Sequence, residues 1–121
     1  MKTIVLIEDD PIILKVLSDV LTDAGYTIWK AVDGDEGVEM VKSKKPDLIL
    51  LNIMLPKKDG IEVLREIKGD PMLRHIPVFM LTALEDPKRL ADSIALGAES
   101  YMVKSEEAIN DVVRKVKEKL G

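Results

Sequence analysis

Short segments that are apolar on both faces alternate along the whole chain with segments that are apolar on one helical face only. Ile4-Val5-Leu6-Ile7, Leu48-Ile49-Leu50-Leu51 and Val78-Phe79-Met80-Leu81 show no polar alternation. Parallel strands covered by helices on both sides read this way. Residues 26–32 and 100–103 are strand-like too, but Thr27, Lys30 and Ser100 interrupt them, as edge positions tolerate. Three central strands and two peripheral ones are therefore predicted.

Helical patterns fill the intervals. Residues 11–24 carry Ile12, Ile13, Val16, Leu17, Val20 and Leu21 as the predicted buried face, with Asp10 as N-cap, Pro11 at the first helical position and Gly25 as the stop. Residues 35–44, 61–68 and 87–96 read as shorter helices ended by Lys45-Pro46, Gly69 and Gly97. The last helix is predicted over 106–120, with Ile109, Val112, Val113, Val116 and Leu120 inward. Lys115, Lys117 and Lys119 near its C-terminal end complement the helix dipole.

Strict alternation of strand and helix implies a parallel sheet built from right-handed crossovers. Putting the first, third and fourth strands inside gives the order 2-1-3-4-5, a flavodoxin-like doubly wound α/β fold of (βα)5 type. Its ligand crevice lies beyond the carboxyl ends of the strands, where the winding reverses between strands 1 and 3.

Composition narrows the possibilities. At 121 residues the chain is expected to form one domain over 1–121, with no room for an output domain. The 22 acidic against 18 basic residues, net −4, disfavour a nucleic-acid surface. The absence of cysteine excludes thiolate metal sites and thiol catalysis and is compatible with a reducing cytoplasm. No apolar stretch is long enough for a membrane span, so a cytoplasmic location without membrane partners is expected.

The predicted strand ends carry Glu8-Asp9-Asp10, Asn52, Thr82-Ala83 and Lys104-Ser105, all on one edge of the sheet. Acids at the switch point suit a hard cation such as Mg2+, which prefers carboxylate and carbonyl oxygens. They would repel a phosphate that no metal accompanies, and no GxGxxG or GxxxxGK[ST] motif is present.

These residues resemble the receiver domains of two-component response regulators, and the resemblance covers essentially the whole chain. It rests on Glu8-Asp9, on the segment from Pro46 to Gly60 with Pro56 and Gly60 four and eight residues after position 52, on Thr82-Ala83, on Tyr101 and on Lys104. The resemblance implies a stand-alone, chemotaxis-regulator-like receiver that accepts a phosphoryl group from a histidine kinase or phosphotransfer protein. Mg2+ would be held by Asp9, the side chain of residue 52 and the carbonyl of Met54, with Glu8 acting through water. Thr82 and Lys104 would contact the phosphoryl oxygens, and Thr82 and Tyr101 would switch a downstream target's surface formed by helix 4, strand 5 and helix 5.

Two positions depart from the family pattern. Asn52 stands where the phosphoacceptor aspartate is expected, and an amide is not a nucleophile at neutral pH. As written, the chain forms no aspartyl phosphate, is no enzyme, and is expected to bind Mg2+ more weakly than Asn52→Asp. Ser105 stands where proline usually follows the lysine, and a cis bond to serine costs about 3 kcal/mol. Two histories fit. Aspartate was changed to asparagine in an otherwise intact site, which the retained Glu8, Asp9, Thr82 and Lys104 favour, or the chain is a natural pseudo-receiver acting by phosphorylation-independent binding, at which Ser105 hints.

Plainer roles compete at several positions. Asp10 reads as an N-cap, Thr82 as a possible capping box with Glu85, and Lys57 and Lys58 as solvated loop charges. Met40, Met54, Met72, Met80 and Met102 read as core or gap filling, His75 as surface, and Trp29 as partly buried packing. A phosphotransferase with an aspartyl intermediate would need a D-x-D pattern that the first strand lacks.

Overall fold

The computed structural model describes residues 1–83, 87–105 and 109–121. The elements run β1 (Thr3–Ile7), α1 (Pro11–Asp23), β2 (Thr27–Ala31), α2 (Gly34–Lys44), β3 (Leu48–Asn52), α3 (Gly60–Gly69), β4 (Val78–Thr82), α4 (Pro87–Ala95), β5 (Ser100–Val103) and α5 (Ile109–Leu120). The strands form one parallel sheet in the order β2-β1-β3-β4-β5, as the apolar pattern predicts.

Side chains that alternate along each strand feed two cores. Val5, Ile7, Ile49, Leu51, Val78 and Met80 face α2 and α3 on one side, with Val38, Val41, Val63, Leu64 and Ile67. Ile4, Leu6, Leu48, Leu50, Phe79 and Leu81 face α1 and α5 on the other, with Leu17, Leu21, Val112 and Val116. Every residue of β3 and β4 is buried, whereas β2 and β5 keep exposed or half-buried positions. That contrast is the physical reason the polar strands lie at the edges.

The helix α1 corrects one expectation. Leu17 and Leu21 are buried, but Ile12 is 72% and Val16 37% exposed. At 3.6 residues per turn these two lie roughly 100–140° around the helix from Leu17, beyond the stripe that reaches the sheet. Leu14 and Ser18 take part in the packing instead. Asp10 caps the helix as predicted, its carboxylate accepting from the Ile12 and Ile13 amides.

Smaller differences concern boundaries and side chains. The helix α2 begins at Gly34 behind Asp33 as N-cap, and α3 at Gly60 behind Asp59. Met54 and Met72 are exposed, while Met80 and Met102 are in the core. Lys58 is paired with Asp35 at 3.6 Å and Glu66 at 2.6 Å, joining α2 to α3, and is not a free loop charge. Trp29 is half exposed, with the Lys44 ammonium 3.8 Å from its ring centre. Glu85 of the suggested capping box and residues 106–108 of the predicted last helix lie outside the described residues.

Candidate functional site

Four strand ends meet on one edge of the sheet. Glu8 follows β1, and its amide extends the ladder by donating to the Ala31 carbonyl at 3.0 Å. Asn52 ends β3, Thr82 ends β4, and Lys104 follows β5 with its amide bonded to the Thr82 carbonyl at 2.8 Å. The Lys104–Ser105 peptide is trans, so serine is accommodated without the cis bond that proline makes cheap. Asn52, Met54, Thr82, Ala83 and Lys104 line a cleft of about 300 Å³.

The asparagine amide is the hub. Its Nδ2 donates towards Glu8 Oε2 at 2.9 Å, Asp9 Oδ1 at 3.0 Å and the Met54 carbonyl at 2.8 Å, and its Oδ1 accepts from the Met54 amide at 3.3 Å. Three acceptors on one side and a backbone donor on the other assign which amide atom is nitrogen. Two hydrogens thus serve three oxygens, all of them oxygens that the family resemblance assigns to a metal.

Glu8 has no solvent exposure. Its Oε2 also accepts from the Asp10 amide at 3.0 Å. Its Oε1 makes no well-angled hydrogen bond but lies 2.8 Å from the Lys104 ammonium as a charge pair. Burial pushes the carboxyl above its ordinary range, while Lys104 and the Asp10 amide pull the other way. Asp9, by contrast, is exposed.

Gly60 braces the site from behind. A Cβ there would stand 2.2 Å from the Asn52 carbonyl and 2.7 Å from that of Ile53. Only glycine lets the start of α3 approach the end of β3 so closely, which gives the glycine eight residues after position 52 a steric meaning. Residues whose part was not read from the sequence also converge here. Arg89, in the first turn of α4, pairs with Asp59, the N-cap of α3, and so ties α4 to the loop after β3. A capping aspartate just before a glycine was the available signal, but its partner lies 30 residues away.

Tyr101 is not in the cleft. It is 42% exposed on β5, with the Lys115 ammonium 5.4 Å from its ring centre and bonded to its carbonyl at 2.9 Å. The structure therefore brings together Glu8, Asp9, Asn52, Met54, Thr82 and Lys104, and leaves Tyr101 on the surface beyond them.

The family profile described as "Response regulator receiver domain" matches residues 4–117. The chain belongs to this family. Among its relatives is the DNA-binding dual master transcriptional regulator RpaA of Synechocystis sp., 40% identical over 86% of this chain and 43% of its own length. The receiver domain spans less than half the length of the curated relatives it matches. The N-terminal domain of a response regulator receiver protein from Methanoculleus marisnigri is 34% identical, with TM-score 0.80 over 100% of this chain and 98% of that one. The Mn2+-bound form of response regulator Rcp1 is 31% identical, with TM-score 0.82 over 98% and 91%. This receiver domain thus has the flavodoxin-like fold of its family and a place in two-component signalling.

Among the described residues, no group of three or more His, Cys, Asp or Glu side chains is arranged to hold a metal. The carboxylates of Glu8 and Asp9 and the Met54 carbonyl are nonetheless the hard oxygens Mg2+ prefers, and they converge on one point, where Nδ2 of Asn52 lies. No helix among the described residues is long and apolar enough to cross a membrane.

Proposed function

We propose that this receiver domain signals as a non-phosphorylatable, protein-binding unit, in which Asn52 occupies the acceptor position and satisfies the acidic pair that a divalent cation would otherwise neutralise. The observation that carries this reading is the set of three contacts from Nδ2 of Asn52 to Glu8, Asp9 and Met54. An amide oxygen held by the Met54 amide is a poor nucleophile, so no acyl phosphate forms and the chain is not an enzyme. Its partners are a histidine kinase or phosphotransfer protein on one side and a downstream protein on the face of α4, β5 and α5, in the cytoplasm.

When bound, Mg2+ would be held by Glu8, Asp9, the residue 52 side chain and the Met54 carbonyl, and would supply charge neutralisation. The Mn2+-bound form of Rcp1 supports a divalent cation in this fold. The cation has to displace the amide contacts, so affinity is weaker than for Asn52→Asp. In the aspartate form, phosphorylation would draw on Thr82 and Lys104 and shift the population of the α4-β5-α5 face through Tyr101.

The test compares the chain with Asn52→Asp in Mg2+ with beryllofluoride or acetyl phosphate, following the amide signals of Thr82 and Tyr101. The variant is expected to respond and the parent to stay still. A parent that responds equally, or a variant that does not respond at all, refutes the reading.

A further inference from the structure

We propose that the connection between α3 and β4 is a docking knob for an acidic protein segment that carries an apolar side chain, at the opposite end of the sheet from the cleft. The other helix-to-strand connections are short, residues 24–26, 45–47 and 96–99, whereas this one runs over residues 70–77. Such connections need only about 2–6 residues, so the chain holds more backbone here than joining α3 to β4 requires. The surplus is ordered. The Asp70 carbonyl accepts from the Leu73 and Arg74 amides at 3.0 and 2.9 Å, the Leu73 carbonyl from the Ile76 amide at 3.0 Å, and the Asp70 carboxylate from the Met72 amide at 2.8 Å. The Lys68 ammonium closes the turn from α3 by donating to the Arg74 and Ile76 carbonyls at 3.1 and 2.9 Å. Leu73 and Ile76 are buried and anchor it.

This rigid turn holds a methionine outward among bases. Met72 is 66% exposed, and Arg74 and His75 are exposed beside it. Arg65, also exposed, lies about one turn before Lys68 on α3. Among the described residues, no carboxylate comes within ion-pair distance of Arg65, Arg74 or His75. Of the neighbouring acids, Asp70 is engaged by the Met72 amide, Glu66 by Lys58 and Glu99 by Lys119, and Glu62 lies beyond that distance from Arg65. A chain of net charge −4 thus keeps an uncompensated positive patch here. A segment rich in carboxylates meets complementary charge, and an apolar side chain on it meets Met72, whose unbranched thioether adapts to irregular surfaces. Two copies of the knob would bring like charges together, and Arg65, Lys68 and Arg74 are too few for a nucleic-acid footprint in an acidic chain.

The knob is also separate from the cleft. It precedes Val78, and the cleft lies at Thr82, about 13 Å further along β4 at the usual strand rise. None of the bonds that shape the knob involves a cleft residue. Binding there therefore needs no phosphoryl group and no cation, and the inference goes beyond the receiver reading without resting on it.

The test titrates the full chain with a short synthetic peptide of glutamates around one central leucine and follows the amide signals, with a peptide carrying glycine in place of the leucine as control. Shifts are expected at residues 65–76, and affinity is expected to fall as salt rises. Arg74→Glu should weaken binding by about tenfold or more and Met72→Ala by about fivefold, with the glycine peptide losing a similar factor to Met72→Ala. The Arg74 carbonyl and the Met72 amide shape the turn while both side chains are exposed, so both variants are expected to fold, which circular dichroism checks. No shift at residues 65–76, undiminished binding by folded Arg74→Glu, tighter binding to duplex DNA than to the peptide, or self-association of the chain that Arg74→Glu abolishes each overturns the proposal. The beryllofluoride response of Asn52→Asp tests the receiver reading separately.

Discussion

Asn52→Asp is the most informative substitution, because it changes one atom at the centre of the pocket and reverses the sense of its interactions. In the parent, Nδ2 donates to two carboxylates at 2.9 and 3.0 Å. In the variant a carboxylate oxygen stands in its place, so the contacts become repulsive. A pair of unit charges 3 Å apart at an effective dielectric near 20 repels by about 5 kcal/mol. That figure cannot be realised in full, since the new carboxyl has the option of taking up a proton. Holding a group of ordinary pKa near 3.9 protonated at pH 7 costs roughly 4 kcal/mol, which sets the ceiling. Lys104, already paired with Glu8 at 2.8 Å, and the exposure of Asp9 bring the expected loss to about 2–4 kcal/mol.

The assay is urea unfolding of parent and variant at neutral pH with chelator present. The sign with pH is fixed by the direction of the shift. The variant carboxyl is raised in the folded state, so the destabilisation is complete above the folded pKa and disappears as pH falls below the unfolded value near 3.9. Millimolar Mg2+ is expected to restore stability to the variant and to leave the parent nearly unchanged. A variant as stable as the parent in chelator at neutral pH would refute the idea that the amide substitutes for positive charge.

Lys104→Met leaves the fully buried Glu8 without its cation and should cost about 3 kcal/mol at neutral pH in chemical denaturation, a loss that shrinks in acid as Glu8 takes up a proton. Adding Glu8→Gln to it is expected to recover most of that loss. Gly60→Ala drives a methyl into the Asn52 carbonyl and should lower stability by about 2–3 kcal/mol, with the largest amide shifts at residues 52 and 53. On α1, Ile12→Glu should change stability by less than about 0.5 kcal/mol, whereas Leu17→Ala should cost about 2–4 kcal/mol, and equal losses would contradict the observed face. The Glu36 amide holds the Asp33 carboxyl below its ordinary value of 3.8, so this cap stabilises above that value and is lost as pH falls through the lower folded pKa. Asp33→Ala should therefore flatten the acid limb of a stability–pH profile.

The topology was legible because three strands, and only those three, are apolar on both faces, which dictates their central position. The cap of α1 was legible for a similar reason: Asp10-Pro11 is a local signal that needs no tertiary partner. The buried face of α1 was not. Six apolar residues on a short helix spread over more arc than one sheet can cover, and the choice of Leu17 and Leu21 over Ile12 and Val16 depends on where the helix crosses the sheet. Lys58 was misjudged because its acids come from α2 and α3, 23 residues before it and eight after it. The site residues were found through family spacing and strand ends, but the direction of the Asn52 amide was invisible. It is decided by the acceptors around it, a property of two separated loops, the one after β1 and the one after β3.

Charge counting shows why that direction matters. Glu8 and Asp9 contribute two negative charges and Lys104 one positive, so with a neutral residue at 52 the cluster carries a single net negative charge. The exposed Asp9 leaves that charge at the solvent edge, where it is cheap, while Glu8 in the interior is matched by Lys104. An aspartate at 52 adds a second net charge, and adds it in a buried position. Nothing else among the groups described at the pocket offsets it, so the demand for a divalent cation arises at that substitution and not from the acidic pair alone. The acidic pair is thus compatible with either residue at 52, but only the amide makes the pocket electrostatically complete without an ion. A receiver of this kind is expected to keep one conformation of its cleft across a range of Mg2+ concentrations. Amide chemical shifts of residues 8, 9, 52 and 54 that move little up to millimolar Mg2+ in the parent, and strongly in Asn52→Asp, are the expected signature, and equal movement in both would show that the amide does not close the site.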